Sequence, residues 1–302
     1  MTAPATTSRA PARPIVIKIG GVALEDQRQS PALWRALLAL HARSPVVLVH
    51  GGGKAVDRLL DRLGMPTHRE DGIRITPEDQ MDVIAGVLAG SVNKSLVGAI
   101  NASRADQPPA PESPAPESPA PESPAAPAVG LCLGDAATLR TRKATRYPFD
   151  PGRVGESEGG DPSLVTLLLA QGFMPVVSSI GLDAEGQFLN VNADDAAASL
   201  ARVLRANSLV LLTDVPGVKA ADSTILPTLS ATQADALIAT NVIAGGMVPK
   251  VRAALAIATD LAIDVTIMSG QDTNALAAWS RGNHVGTRIL APRNPAPAFT
   301  NP

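Results

Sequence analysis

Aromatic residues make up only 2% of this 302-residue chain: two Trp, one Tyr and four Phe. The core must therefore be built from Leu, Val, Ile and Ala, and stacking nucleic-acid bases on aromatic platforms has little to work with. Cys132 is the only cysteine. No intrachain disulfide and no Cys-rich metal site can form, which suits a reducing cytoplasm. An excess of either charge is also missing, since 26 Lys and Arg against 28 Asp and Glu leave a net −2. That gives no basic field of the kind that holds nucleic acid or an anionic membrane. No apolar run reaches the roughly 18 residues of a membrane span. Residues 1–13 lack the apolar stretch of a secretory signal and read as a disordered tail. A small-molecule partner fits what remains, and with 45% hydrophobic residues the chain can bury a sizeable core in one large or two modest domains.

What is present is an alternation of strand and helix signals. Ile15 to Ile19 is a β-branched run, Pro31 to Ala42 has helical apolar spacing, and Val46 to Val49 is a buried strand running into His50 and three glycines. A helix is expected from about Lys54 to Leu63. A longer one is expected from Pro77, as a first-turn residue, towards Ile100. Further strands are expected at Val129 to Leu133, Met174 to Ser179, Phe188 to Val191 after a turn at Asp183 to Gly186, Leu209 to Leu212, Val265 to Met268 and Thr287 to Leu290. Helices are expected at Asp161 to Gln171, Ala193 to Leu204, from a capping box at Ser230 and Gln233, and at Val248 to Thr259. Such alternation predicts an α/β fold with a mostly parallel sheet covered on both faces, and ligands at the carboxyl ends of its strands.

The rhythm breaks once. From about Arg104 to Ala128 the chain repeats Pro-Ala-Pro-Glu-Ser three times, with no apolar face to bury and too many prolines for helix or sheet. Its contrast with both flanks marks a disordered insertion.

Four clusters carry chemistry: Lys18-Ile19-Gly20-Gly21, His50-Gly51-Gly52-Gly53, Asn190-Val191-Asn192-Ala193-Asp194 and Gly245-Gly246-Met247-Val248-Pro249-Lys250. Glycines between a strand and a helix let the backbone approach a phosphate, and the free N–H groups of a helix start favour an anion. Lysine beside such a turn adds a point charge suited to phosphate. Taken alone, each turn is commonly no more than a tight turn, and Asp194 and Asp195 suit any helix start. Lys18 is different, because a charge ending an apolar strand is costly unless paired. Gly53-Lys54 is followed by Ala55, so it is no Walker A loop, and no Gly-x-Gly-x-x-Gly follows the first strand. The four histidines lack ligand spacing and Cys132 reads as core.

Together, and in order, these clusters resemble the acetylglutamate kinase branch of the amino acid kinase family. The resemblance spans Ile15 to Leu290 apart from the insertion. It includes Asp71-Gly72-Ile73-Arg74-Ile75-Thr76-Pro77, Leu88 to Lys94, Pro175 to Gly181 and Thr213-Asp214-Val215-Pro216-Gly217-Val218. It implies a three-layer αβα sandwich in two lobes, residues 14–181 binding N-acetyl-L-glutamate and forming a homodimer, and 182–302 binding ATP. The implied reaction is ATP-dependent phosphorylation of the acetylglutamate side-chain carboxylate, a step of arginine biosynthesis. Lys18 and Lys250 match the lysines that neutralise the transferring phosphoryl group, and Asp194 matches the acid that positions both. Gly21, Gly52 and Gly53 would cradle the γ-phosphoryl group. Arg74 and Asn190, with Asn192 close by, would hold the substrate. Asp214, Val215, Pro216, Gly217, Val218, Lys219, Val242, Ile243 and Ala244 would line the nucleotide pocket. Mg²⁺ would ride on the ATP phosphates, with no dedicated metal residue.

The chemistry agrees. A carboxylate meeting ATP brings two anions together, costing roughly 4 kcal/mol per unit-charge pair at about 4 Å and an effective dielectric near 20. The acceptor is already ionised near neutral pH, so no general base is needed and positioning with charge neutralisation suffices. Rival readings are a kinase for acetylated or carrier-linked aminoadipate, disfavoured by Gly72-Ile73-Arg74-Ile75-Thr76 and the full glycine turn, and an inactive nucleotide-sensing scaffold, disfavoured by Lys18, Asp194 and Lys250 together. Pro4, Pro11 and Pro14 before the first strand make a dimer-linking helix improbable. Val285-Gly286-Thr287-Arg288 stands in place of the run associated with arginine sensitivity. A dimer indifferent to arginine is therefore expected.

Loop entropy rises slowly with length, so deleting Pro108 to Pro127 and closing the gap with a short Gly-Ser linker should leave melting temperature and activity nearly unchanged. Loss of soluble protein on deletion would show that the tract packs against the fold.

Overall fold

The computed structural model describes residues 12–24, 31–105, 128–272 and 274–292. The tail expected over 1–13 lies outside these residues but for its last two, and the insertion expected over 104–128 but for Arg104 and Ala105, which are helical, and Ala128, which begins a strand, so the expected disorder does not reach these three.

The chain runs β1 (Ile15–Ile19), α1 (Pro31–His41), β2 (Val46–His50), α2 (Gly53–Arg62), β3 (His68–Glu70), β4 (Ile73–Ile75), α3 (Glu78–Ala85), a π-helical turn (Gly86–Val92), α4 (Asn93–Ala105) and β5 (Ala128–Cys132). It continues with β6 (Thr141–Lys143), β7 (Val154–Ser157), α5 (Ser163–Ala170), β8 (Met174–Ser178), β9 (Ile180–Leu182), β10 (Phe188–Val191), α6 (Ala193–Val203) and β11 (Ser208–Thr213). Last come β12 (Thr228–Leu229), α7 (Ala231–Ala239), α8 (Met247–Leu261), β13 (Val265–Ser269), α9 (Ala275–Ser280) and β14 (Thr287–Ile289).

Eight strands form the main sheet in the order β12-β14-β13-β11-β1-β2-β8-β5. All neighbours are parallel except β13 with β14. The alternation of side chains on β1 divides the core. Ile15, Ile17 and Ile19 join α1, α2, α3, α4 and α9 on one face, while Val16 joins α6, α7 and α8 on the other. This is the expected αβα layering. Lys18 shares the Val16 face because the strand period is two. The order reverses at β1, which has β2 on one side and β11 on the other. A crevice therefore opens at the carboxyl ends of those strands.

A second sheet, β6-β7-β10-β9, and the hairpin β3-β4 complete the described strands. Neither β6, β7 nor β3-β4 was expected, since all have three or four residues and β3 is fully exposed. Three or four residues are too few for an apolar alternation, such as Ile73-Arg74-Ile75 in β4, to stand out. α9 and β12 escape for the same reason of length. Pro77 was expected inside the first turn of its helix, but its backbone is extended (φ −63°, ψ 156°) and it precedes the helix as N-cap. The long helix it opens is interrupted by the π turn, which contains Gly86 and Gly90; such insertions are frequent at functional sites. Taken as one span, Glu78–Ser103 is long and apolar enough to cross a membrane. In this fold its Ile84, Leu88, Leu96 and Ile100 are core residues.

His50 ends β2 fully buried. Its Nδ1 donates to the Gly51 carbonyl (2.7 Å), which leaves Nε2 to accept from Asn93 Nδ2 (3.0 Å). Asn93 Nδ2 also donates to the Val176 carbonyl at 2.8 Å. The imidazole is thus a neutral strut between the glycine turn and the start of α4, and burial pushes its pKa down to about 4. A folded-state pKa below the unfolded value gives stability that is complete above about pH 6.5 and is lost as pH falls towards 4, roughly 3 kcal/mol in all. Followed by NMR, the His50 imidazole should remain neutral at pH 5.5, and His50→Gln should flatten the decline of unfolding free energy between pH 6.5 and 4. Protonation of the ring near pH 6.5 in the folded protein would contradict this role.

Candidate active site

Three helices begin beside the two cavities of this region. α2 starts at Gly53 after β2, α6 at Ala193 after β10, and α8 at Met247. Their unsatisfied N–H groups and dipoles favour anions at this end of the sheet. Asn192 caps α6, its Oδ1 accepting from the N–H groups of Asp194 (2.8 Å) and Asp195 (3.3 Å). That cap fixes the first turn and directs the Asp194 carboxylate back over β1. There Lys18 Nζ meets Asp194 Oδ1 at 3.0 Å, with the lysine side chain 15% exposed. The pairing answers the cost of a charge on an apolar strand.

Lys250 lies in the first turn of α8 and pairs at 2.6 Å with Asp214 Oδ1, just beyond β11. The hydrogen bond from Lys250, followed by a backbone N–H, holds the Asp214 carboxyl below the ordinary carboxylate range. The sequence reading gave both lysines to Asp194. In this structure each lysine has its own acid, because β11 delivers Asp214 to the foot of α8 while β10 delivers Asp194 over β1. Lys18, Gly20, Gly21, Lys54, Asp194, Asp214 and Lys250 line one cavity of about 240 Å³ with an apolar floor from Leu211 and Ile267.

A second cavity, of about 200 Å³, is lined by Gly51, Gly52, Gly53, Arg69, Arg74, Leu88, Tyr147, Asn190 and Asn192 among others. The consecutive residues Gly53 and Lys54, and again Ala193 and Asp194, face one cavity and the other. The two cavities therefore share a wall made of the glycine turn and the start of α6. Arg74 on β4 is nearly buried and donates through Nη2 to Asp57 Oδ1 (2.6 Å) and the Gly53 carbonyl (3.2 Å). Asn190 Nδ2 donates to Thr76 Oγ1 at 3.1 Å, tying the strand that bears Asn190 to the end of the one that bears Arg74. Asn192 reaches this cavity too, with Oδ1 already engaged as the helix cap.

The structure thus brings together Lys18, Lys250, Asp194 and Gly21 in one cavity and Gly52, Gly53, Arg74, Asn190 and Asn192 in the other. Of the nine residues expected around the nucleotide, Asp214 lines the lysine cavity. Val218 and Ile243 turn into the core, and the Val218 N–H donates to Thr287 Oγ1 at 2.8 Å. Val215 packs partly buried beside the core. Pro216, Lys219 and Ala244 are exposed, Gly217 is buried and Val242 is half-buried. Arg69, Asp57 and Tyr147 were not foreseen. Burial and Asp135 push the Cys132 thiol up to about 11, so it is inert at neutral pH. Among the described residues no group of three or more His, Cys, Asp and Glu could hold a metal ion.

Glycine turns at helix starts, two lysines and an adjoining arginine-walled cavity at a sheet switch point are the parts of a small-molecule phosphotransferase. The amino acid kinase family model matches residues 13–269. Acetylglutamate kinase from Pectobacterium atrosepticum is 41% identical over 281 residues, 92% of this chain and 99% of that protein. Among solved structures, N-acetylglutamate synthase from Neisseria gonorrhoeae superposes with a TM-score of 0.72 at 24% identity, covering 92% of this chain and 61% of that one. Carbamate kinase from Giardia lamblia, bound to AMP-PNP, gives 0.64 at 18% identity, covering 93% and 99%. The chain belongs to the amino acid kinase family, in its acetylglutamate kinase branch.

The shared wall tolerates little change. Gly52 has φ 155°, and a Cβ there would lie 2.8 Å from Leu88 Cδ2 and 3.4 Å from Val92 Cγ2, both on the buried π turn. Overpacking of this kind costs about 1–3 kcal/mol. Gly52→Ala should lower unfolding free energy by that amount in chemical denaturation; an unchanged midpoint would show that Leu88 yields freely.

Proposed function

We propose that the chain transfers the γ-phosphoryl group of ATP to the side-chain carboxylate of N-acetyl-L-glutamate, giving N-acetyl-L-glutamyl 5-phosphate for arginine biosynthesis. The observation that carries this reading is the pair of cavities with a common wall, one lysine-lined and one arginine-lined. Two anionic substrates can approach from opposite sides and meet at the glycine turn. Acetylglutamate would sit against Arg74 and Asn190, its α-carboxylate on the arginine. Its γ-carboxylate, ionised at neutral pH, then faces the wall ready to attack without a general base.

On the other side Lys18 and Lys250 would meet the transferring phosphoryl group, with N–H groups of Gly21, Gly52 and Gly53 as further donors. Charge on the equatorial oxygens then develops against fixed cations and dipoles, so little reorganisation is required at the moment of transfer. Asp194 and Asp214 hold the ammonium groups in place. Mg²⁺, carried on the ATP phosphates, would screen their charge; both acids are already paired to lysines, and no dedicated ligand cluster is invoked for it. The adenosine would extend along Asp214 to Lys219 and Val242 to Ala244, where Val218 and Ile243 contribute backbone rather than side chain. Residues 14–181 would chiefly serve acetylglutamate and 182–302 ATP, with Asn190 and Asn192 crossing to the first and Lys18 and Gly21 to the second. We also propose a homodimer through the first of these regions, whose β5 is an edge strand of the main sheet, with no response to arginine.

Trapping the acyl phosphate with hydroxylamine should give ATP-dependent hydroxamate with acetylglutamate and far less with glutamate, aspartate or acetylaminoadipate. Equal rates on acetylaminoadipate would favour the longer substrate. A charge-assisted hydrogen bond contributes about 1.5–3 kcal/mol, so Arg74→Ala should raise the KM for acetylglutamate roughly ten- to a hundredfold with a small change in kcat. Light scattering should give a dimer mass with and without arginine; a hexamer, or inhibition by millimolar arginine, would overturn the assembly proposal.

A further inference from the structure

Arg69 and Arg74 stand directly opposite each other on the β3-β4 hairpin. Like charges so placed repel, and this hairpin has no third strand among the described residues. A two-stranded hairpin is marginal in water by itself. Something must hold it against the cavity wall with both guanidinium groups in position.

Asp57, on α2, is placed to do so. Its Oδ2 accepts from Arg69 Nη2 at 2.9 Å and its Oδ1 from Arg74 Nη2 at 2.6 Å. One carboxylate thus bridges the repelling pair and docks the hairpin on the helix that follows the glycine turn. The second acceptor of Arg74 Nη2 is the Gly53 carbonyl, one helical turn before Asp57 on the same face of α2. The Arg74 guanidinium is consequently fixed along the first turn of α2, on the side of the wall that faces the second cavity. Its Nη1 is buried and donates to no described residue. A buried charged donor without an acceptor is costly, and an arginine arranged this way at a cavity wall is prepared for an anionic ligand. Arg69 lines the same cavity and adds a second cation on the same side. Both arginines act together to hold the Asp57 carboxyl below its ordinary pKa, against its partial burial, so the bridge is fully charged at neutral pH.

We infer that Asp57 is a positioning residue for acetylglutamate: it sets Arg74, and Arg69 beside it, to receive the substrate α-carboxylate, and touches no substrate itself. The inference rests on the assignment of the Arg74 cavity to acetylglutamate.

The test is steady-state kinetics of Asp57→Ala, Asp57→Asn, Arg74→Ala and the double variant Asp57→Ala/Arg74→Ala, with melting temperatures. Asp57→Ala should raise the KM for acetylglutamate fivefold or more, with kcat and the KM for ATP within about twofold of the parent. Asp57→Asn keeps an acceptor without the charge and should fall between. In the Arg74→Ala background, Asp57→Ala should add less than twofold. A normal acetylglutamate KM in Asp57→Ala beside a raised one in Arg74→Ala would overturn the positioning role and leave the cavity assignment intact. So would a lowered melting temperature accompanied by equal losses on both substrates, or effects that multiply fully in the double variant. An unchanged KM in Arg74→Ala would instead remove the cavity assignment, and the inference with it.

Discussion

The Lys18–Asp194 ion pair joins the middle strand of the sheet to the first turn of α6, and most of the site's geometry hangs on that junction. Lys18 emerges on the α6 and α8 face because Val16 does. Asp194 reaches it because Asn192 caps α6 and fixes where the helix starts. The same helix start, through Ala193, closes the arginine-walled cavity. One ion pair therefore registers the sheet, the lysine-lined cavity and the arginine-walled cavity against each other. Lys250 with Asp214 repeats the arrangement across the crevice. Separate acids for the two lysines leave each ammonium with hydrogen-bonding capacity to offer a phosphoryl oxygen, since an ammonium has three donors.

The arginine-walled cavity uses the same device in reverse. There the fixed charges are arginines, and the carboxylate that holds them is Asp57. Across the wall, acids hold lysines; on this side an acid holds arginines. Lysine suits a transferring phosphoryl group as a compact point charge, whereas arginine offers a planar fork to a carboxylate. Under the proposed function, the distribution of the two cations would follow the two anions that the reaction must bring together.

The alternating strands and helices of the main sheet were legible in the sequence because buried parallel strands such as Val46–His50 and Met174–Ser178 are unbroken apolar runs bounded by turn residues. The glycine clusters were legible because few sequences place glycines and a lysine at successive strand ends. β3 and β4 were not, having three residues each: Arg69 and Arg74 gain their positions from Asp57 on α2, not from local preference. Asp57 looks like an ordinary surface acid on an amphipathic helix, and only the docking of a hairpin 12 to 17 residues later reveals its partners. The partner of Lys250 was likewise invisible, since Asp194 and Asp214 are equally plausible until the order of β1 and β11 is known. Val218 and Ile243 show the opposite limit: a resemblance points to their segments for the nucleotide, but strand pairing and core packing turn both side chains into the core.

Charge neutralisation by two separately held lysines is the central claim, and the turnover of Lys18→Ala and Lys250→Ala tests it most directly. Both charges would act on the phosphoryl group in flight rather than on bound acetylglutamate. Each substitution should therefore depress kcat by a hundredfold or more while the KM for acetylglutamate moves by only a few-fold. Near-normal kcat in either variant, or a loss carried by KM instead, would contradict the account.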